Sequence, residues 1–393
     1  MVGLVAGGLV SWATAAADPV TADRIAGLPE EERPAWEAYW DRSERRRADD
    51  ESAIQRELRQ LGEGARWRPA PKGRMLPRGA GRPDEAWHRS AGAREVAGNI
   101  LSFQTPAGGW SKNVAIGAAP REPGMGFGES RAHYRGTFDN HATTAPLELL
   151  GRIASAQDWE PARKGFLKGL GYVLEAQYPN GGWPQVYPLE GGYHDNVTFN
   201  DGAMIHVLRF LHEVADGRFP FVGGDDRERA REAIERGRRC LLDCQVEERG
   251  ELKVWCAQHD PLTLRPARAR SYEWASLSGG ESAGILLYLM ERAPRTAELR
   301  RAVGAGHDWF ERHAIYGKRF RGRQLELVDE EGAGPIWARF YELGTGRPMF
   351  VARDAEKAVY SVEELPPSSN GYAWYTGSGK DVLRRYPRWR EGD

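Results

Sequence analysis

Cysteine is scarce in this 393-residue chain: only Cys240, Cys244 and Cys256 are present. So few exclude a small scaffold built on disulfides. Cys240 and Cys244 are four apart, so they share a helix face but lie too far apart along it for an easy bridge. A disulfide from either to Cys256 stays open, and with His259 the three admit a reading as metal ligands. Small buried side chains behind a helix is the preferred account. An excess of charge of one sign is also lacking. Lys+Arg is 55 and Asp+Glu 56, for a formal net charge of -1. That argues against bulk attraction to nucleic acid or to an anionic membrane, though not against a local basic cleft. No apolar run approaches the 18 or so residues of a membrane-spanning helix. Alternating β-branched runs are scarce as well.

Residues 2–17, VGLVAGGLVSWATAAA, form a short apolar run ending in an Ala-x-Ala-like stretch. They resemble the core and cleavage site of a secretory signal, without its positively charged start. The expectation is a secreted or periplasmic protein, active as a monomer and free of the membrane once residues 1–17 are removed. An ordinary cytoplasmic N-terminal extension is the alternative.

What is abundant is glycine, with Gly 47, and aromatic residues, with Trp 14, Tyr 14 and Phe 12. Residues 18–85 form a charged N-terminal extension, one or two polar helices followed by a Pro- and Gly-rich arm. From 86 to 393 the apolar residues recur at i, i+3, i+4 and i+7, which predicts an all-α domain. This body repeats. Gln104-Thr-Pro-Ala-Gly-Gly-Trp110 matches Gln177-Tyr-Pro-Asn-Gly-Gly-Trp183, and Gln245 to Trp255 is a looser third copy. The tryptophans stand 73 and 72 residues apart, each just past a helix ending in Gln. Units of that length are helical hairpins, and three make a toroid with equivalent loops at one rim. Trp110 and Trp183 are then candidate platforms for sugar rings, or plugs of the barrel end.

Two acidic motifs share a pattern: Thr137-Phe138-Asp139-Asn140 and Thr198-Phe199-Asn200-Asp201. Each precedes an apolar-periodic helix, where an Asp alone reads as an N-cap. Their recurrence in the repeat suggests two carboxylates facing one cleft. Such a pair suits a hard cation such as Ca2+, or the acid and base of an inverting glycoside hydrolase. Arg265, Arg268 and Arg270 crowd a segment ending Ser-Tyr-Glu, and Lys112 follows Trp110 by two. Guanidinium forks match carboxylates. Carboxylates, arginines and aromatic faces together fit an acidic polysaccharide as partner, with Lys112, Trp110, Trp183 and Arg268 as candidate binding residues.

The motifs TFDNHATT, YPNGGWPQVYPLEGGYHDNVTFNDGA, VWCAQHD, ARARSYE and SLSGGESAGI, in this order, resemble those of polysaccharide lyase family 10 pectate lyases. The resemblance spans about residues 90 to 375. It implies an (α/α)3 toroid that cleaves polygalacturonate by calcium-dependent β-elimination, giving 4,5-unsaturated oligogalacturonides. By motif, Asp139 and Asp201 fall on acids near calcium and substrate, and Arg270 on an arginine of the cleft. Arg353 falls on another family arginine. These four are the candidate catalytic residues, with Asp139 and Asp201 also the candidate metal ligands, and the resemblance adds Asn140 and Asn200 to the candidate binding residues. The family's proposed base, an arginine just before the closing Gly-Tyr-x-Trp, is missing: Ser368 and Ser369 precede Asn370-Gly371-Tyr372-Ala373-Trp374. Three states therefore remain open. Arg353 or Arg270 acts as base, the substrate differs, or the protein binds acidic glycan without cutting it.

Overall fold

The computed structural model describes residues 18–77, 85–130 and 135–392. The signal-like segment 1–17 lies outside the described residues. The chain is all-α in class, and strands among the described residues are only two or four residues long. The helices are α1 (Ala22–Ala26), α2 (Arg33–Leu61), α3 (Glu85–His88), α4 (Ala91–Ser102), α5 (Thr144–Gln157), α6 (Glu160–Glu175), α7 (Ala203–Ala215), α8 (Gly224–Asp243), α9 (Gly279–Arg292), α10 (Ala297–Arg312) and α11 (Gly379–Glu391). Two compact units divide the described chain at Asp243.

In the unit Pro19–Asp243, α5 packs on α6 and α7 on α8. Ala203, Met204, Val207, Leu208, Phe210, Leu211 and Val214 bury the inner stripe of α7, at the spacing its sequence predicts. The polar α2 belongs to this unit too. Its buried residues Trp36, Tyr39, Ser43 and Asp50 form a single narrow stripe. Tyr39 donates to the Ala176 carbonyl at 3.1 Å, and Ser43 accepts the Leu189 N–H at 2.9 Å. The extension thus packs within this unit by buried hydrogen bonds.

In the unit from Cys244, α9, α10 and α11 pack on one another. Thr296 caps α10 by accepting the Leu299 N–H at 3.2 Å. Leu277–Ser278 pairs with Phe340–Tyr341, and Tyr375–Thr376 with Trp337–Ala338. These short ladders hold the loops that carry Arg270, Arg353 and Tyr372.

The Gln-to-Trp repeat is structural, which corrects one expectation. Trp110, Trp183 and Trp255 are all fully buried, so Trp110 and Trp183 offer no face to a sugar ring. Trp110 Nε1 donates to the Ile100 carbonyl at 2.8 Å and Trp183 Nε1 to the Val173 carbonyl at 2.9 Å. Each glutamine bridges its own loop to the hairpin that follows. Gln104 Nε2 donates to Gly108 and Gly165 carbonyls, Gln177 to Gly181 and Ala233, and Gln245 to Lys253 and Ala302. The Gly pair is obligatory because a Cβ on Gly181 (φ +91) would lie 2.2 Å from the Arg236 carbonyl oxygen, and one on Gly109 2.5 Å from the Tyr172 ring. All three cysteines are free and buried, as the preferred reading expects.

Candidate active site

The two acidic motifs fold alike and lie against each other within the first unit. Neither acid is an N-cap: α5 begins at Thr144 behind Thr143, and α7 at Ala203 behind Gly202. Each motif instead makes a tight 3-10 turn, Asp139–His141 and Asn200–Gly202. Asn140 and Asp201, equivalent in the repeat, both have φ 51, a left-handed conformation that Asn and Asp tolerate better than most. Asp139 and Asn200 are equivalent too, and both are buried, while Asn140 and Asp201 are exposed. The acid has therefore changed places between the copies.

Thr137 fixes the first turn: its N–H donates to the Trp110 carbonyl at 3.0 Å and its hydroxyl to that of Gln185 at 2.6 Å. The same hydroxyl accepts the Asp139 N–H at 3.1 Å. Lys112 Nζ donates to the Asp139 carboxylate as an ion pair, so Lys112 does meet a predicted acid. Asn200 Nδ2 donates to Asp201 Oδ2 at 3.0 Å. His141 and His206, neither singled out in the sequence, stack with ring centroids 3.3 Å apart. Burial, then the neighbouring His141 and Arg209, lower His206 to about 3. Asp139, Asn140, Asn200, Asp201 and Lys112 thus form one group on adjoining turns.

Arg268, Arg270 and Arg353 belong to the other unit. Ala269 and Glu273 close the turn around Arg270 through backbone hydrogen bonds of 2.9 Å. Arg270 Nε donates to Glu273 Oε2 at 2.7 Å, and its NH2 donates to Oε1. Burial by itself would lower the Arg270 guanidinium, but the Glu273 fork outweighs it and holds that group far above the ordinary arginine value. So folded, Arg270 is held charged by Glu273, which tells against it of the two arginines left open as base. Arg268 turns away to the Ser271 carbonyl at 3.1 Å and lies over Trp274. Arg270 and Arg353 both approach the Tyr272 ring, at 5.0 and 5.1 Å from its centroid.

Beside Tyr272 opens a cavity of about 470 Å³ lined by Tyr272, Val351, Arg353, Ser368, Ser369, Asn370, Gly371, Tyr372 and Trp374. The two serines that stand in place of the expected arginines are therefore wall residues. Arg353 supplies the only charged side chain in that lining. Ser369 presents its carbonyl to Trp374 Nε1 at 3.1 Å.

Sequence reasoning missed Glu273, Tyr372 and the Arg339–Glu281 pair. The Tyr372 hydroxyl donates to Glu273 Oε1 at 2.8 Å. Arg339 NH2 donates to Glu281 Oε1 at 3.1 Å and lies 4.9 Å from the Tyr372 centroid. The signals were present: Glu273 ends the ARARSYE motif and Glu281 lies in SLSGGESAGI. Among the described residues, His307, Asp308 and Glu311 on α10 bring three ligand atoms within 4.8 Å of one another. None of them is a predicted site residue.

The description "Pectic acid lyase" matches residues 104–383. No curated protein matches the chain. Among solved structures, a family 10 polysaccharide lyase from Cellvibrio cellulosa is similar at 34% identity and a TM-score of 0.68, covering 81% of this chain and 99% of its own. A mutant of that lyase in complex with trigalacturonic acid is similar at 33% identity and the same TM-score, over 80% of this chain and 99% of its own. Agreement in backbone, in sequence and over most of the length shows that this chain belongs to the pectic acid lyases of polysaccharide lyase family 10 and has their all-α, (α/α)3 toroid fold.

Proposed function

We propose that the protein is a calcium-dependent pectate lyase, cleaving polygalacturonate by β-elimination to 4,5-unsaturated oligogalacturonides. The observation that carries the reading is the open cavity whose one charge is the guanidinium of Arg353. Such a pocket favours an anion, and the related lyase holds trigalacturonic acid. A uronate carboxylate answers both.

In the elimination, the C5–H bond breaks and its electron pair forms the C4=C5 double bond. The C4–O4 bond breaks in turn, and the departing oxygen takes a proton from solvent. Negative charge builds on the uronate carboxylate, so fixed cations beside it lower the barrier. Arg270, held charged by Glu273, is assigned that task. A guanidine accepts a proton only from its neutral form. The C5 proton is assigned to Arg353, the guanidine in the cavity wall, which must first give up a proton of its own to solvent. Ser368 and Asn370 offer hydrogen bonds to sugar hydroxyls.

The adjoining acidic turns fit a hard cation in kind. They carry two carboxylates, Asp139 and Asp201, and two amides, Asn140 and Asn200, on turns that touch, and Asp201 is exposed. Those residues would hold calcium, which would supply a divalent charge able to polarise a uronate carboxylate. Lys112 carries a counter-charge to Asp139 in the same group. A polymer of this size is met outside the cell, which agrees with the secretory reading of residues 2–17.

The test is ultraviolet absorbance on polygalacturonate with calcium, then with chelator. We expect absorbance from the new double bond, abolished by chelation and restored by excess calcium. Arg353→Ala is expected to lower kcat by about a hundredfold or more. Chain shortening without absorbance would replace the lyase by a hydrolase, and binding without shortening by a non-cleaving glycan binder.

A further inference from the structure

In the unit from Cys244, α9 and α11 border a cleft of about 1060 Å³ that none of the preceding chemistry uses. Val382 and Trp389, seven apart, turn inward and are buried. The intervening Arg384, Arg385 and Arg388 are exposed. Together with Arg295 they give the cleft four guanidiniums against one acid, Glu291. Arg295 lies over the Trp389 ring at 5.7 Å from its centroid. Arg384 pairs with Asp381 at 2.7 Å but stays 71% exposed. Arg385 and Arg388 make no ion pair with a described acid. In a chain whose net charge is -1, so one-sided a patch is a local feature of this cleft.

We propose that this cleft is a second binding site for acidic polysaccharide, holding stretches of uronate chain that are not being cut. The inference rests on the pectate lyase reading for its ligand. Planar guanidinium forks match carboxylates in pairs, and a polyuronate presents one carboxylate per ring. Arg384 and Arg388 are one helical turn apart, about 6 Å along α11, so neighbouring rings can be engaged together. The cleft is ill suited to other polyanions. Its aromatic ring, Trp389, is only 7% exposed and gives nucleic-acid bases no stacking surface. None of the exposed large apolar side chains, Leu61, Leu167, Tyr316 and Tyr360, belongs to its lining, so it has no wedge for a lipid surface.

The experiment replaces the three exposed arginines together, Arg384→Gln, Arg385→Gln and Arg388→Gln, which keeps most of each stem and removes the charge. A charge-preserving companion carries Lys at the same positions. Polygalacturonate and trigalacturonic acid are the two substrates, the latter too short to occupy two sites at once. We expect the Gln variant to show about a tenfold higher KM on the polymer at low salt, with kcat and all trigalacturonate kinetics unchanged. The difference should shrink in 0.5 M NaCl, and the Lys variant should keep most of the wild-type affinity. An unchanged polymer KM overturns the site, and so does an equal rise on trigalacturonate. If the wild type gives no unsaturated product from either substrate, the lyase reading fails by itself. Titration calorimetry of uncut polygalacturonate against both proteins then decides the cleft: equal affinity overturns it. Loss of binding to phosphatidylserine vesicles with polymer affinity retained overturns it in favour of lipid.

Discussion

At the scale of single residues, Glu273 decides what Arg270 can do. Its carboxylate is 6% exposed as a residue, takes the Arg270 fork and accepts the Tyr372 hydroxyl. Arg270 is thereby aimed as well as charged. Glu273→Gln keeps the size but loses half of the fork, so Arg270 swings free. We expect kcat/KM on polygalacturonate to fall by roughly ten- to a hundredfold, the usual scale for loss of orientation. Stability should fall by no more than about 2 kcal/mol, because the Arg270 head is 40% exposed and will find water. Steady-state kinetics beside urea unfolding separate the two. A large stability loss with kcat/KM unchanged would mark Glu273 as purely architectural. The sequence made the arginines legible because three basic residues in six positions are uncommon. It could not single out Glu273, since an acid three residues past an arginine is ordinary, and only the folded turn makes a fork of it. Trp110 and Trp183 failed for a related reason: a tryptophan beside Gly-Gly reads the same whether its ring faces solvent or core.

Among the elements, α2 was legible as a polar helix, but not how it is held. Twenty-nine residues of heavily charged sequence show little periodicity, and its buried stripe has only four residues. One of the four is Asp50, buried against the α4–α5 connection, where its Oδ1 accepts the Ala107 N–H at 2.8 Å. Its other oxygen is buried and has no partner among the described residues. Desolvation by burial, only partly offset by the Ala107 hydrogen bond, raises Asp50 to about 6 from 3.8. The folded value lies above the unfolded one, so the folded state gains from the protonated form. That gain is fully present below about pH 4 and is lost as pH rises through about 6. Asp50→Asn keeps an acceptor for Ala107 and removes the ionisation. We expect it to stabilise the protein at pH 8 by at most about 3 kcal/mol, with the advantage shrinking towards zero at pH 4. Urea unfolding at the two pH values reads this directly, and equal differences at both would show that Asp50 carries no such cost. Helix ends were less legible than helices. Asp139 and Asp201 each look like a cap on the page, yet the chain inserts a 3-10 turn with left-handed residues before either helix begins. The residue types permit that turn, since Asn, Asp and Gly tolerate a left-handed backbone, but an N-cap would read the same.

For the molecule as a whole, the 73- and 72-residue recurrence proved the most dependable signal. It is enforced by bonds that every copy must make: a glutamine to two carbonyls, and in the two closer copies a glycine against neighbouring backbone or ring. The fold class was therefore readable, and the resemblance in motif order agrees with a family match over residues 104–383. The cation is the part that neither periodicity nor resemblance locates in energy. Bound calcium would prefer the folded chain, because Asp139 and Asp201, 62 residues apart in sequence, come onto adjoining turns only when folded. Linkage then requires that calcium raise stability with no substrate present, by about 2.7 kcal/mol at a hundred times its dissociation constant. In a chain of this length that is a rise of a few degrees in Tm. We expect calorimetry to show it for the wild type with calcium against chelator, and magnesium to reproduce little of it, since that ion gives up water reluctantly. Asp201→Ala should abolish the rise and lower Tm in chelator by only about a degree or two, the cost of an alanine in the left-handed backbone at that position. Asp139→Ala should lower Tm in both conditions, because it also strands the Lys112 ammonium, which is only 16% exposed. A wild type whose Tm ignores calcium, or an Asp201→Ala variant that still responds in full, would move the ion away from these turns.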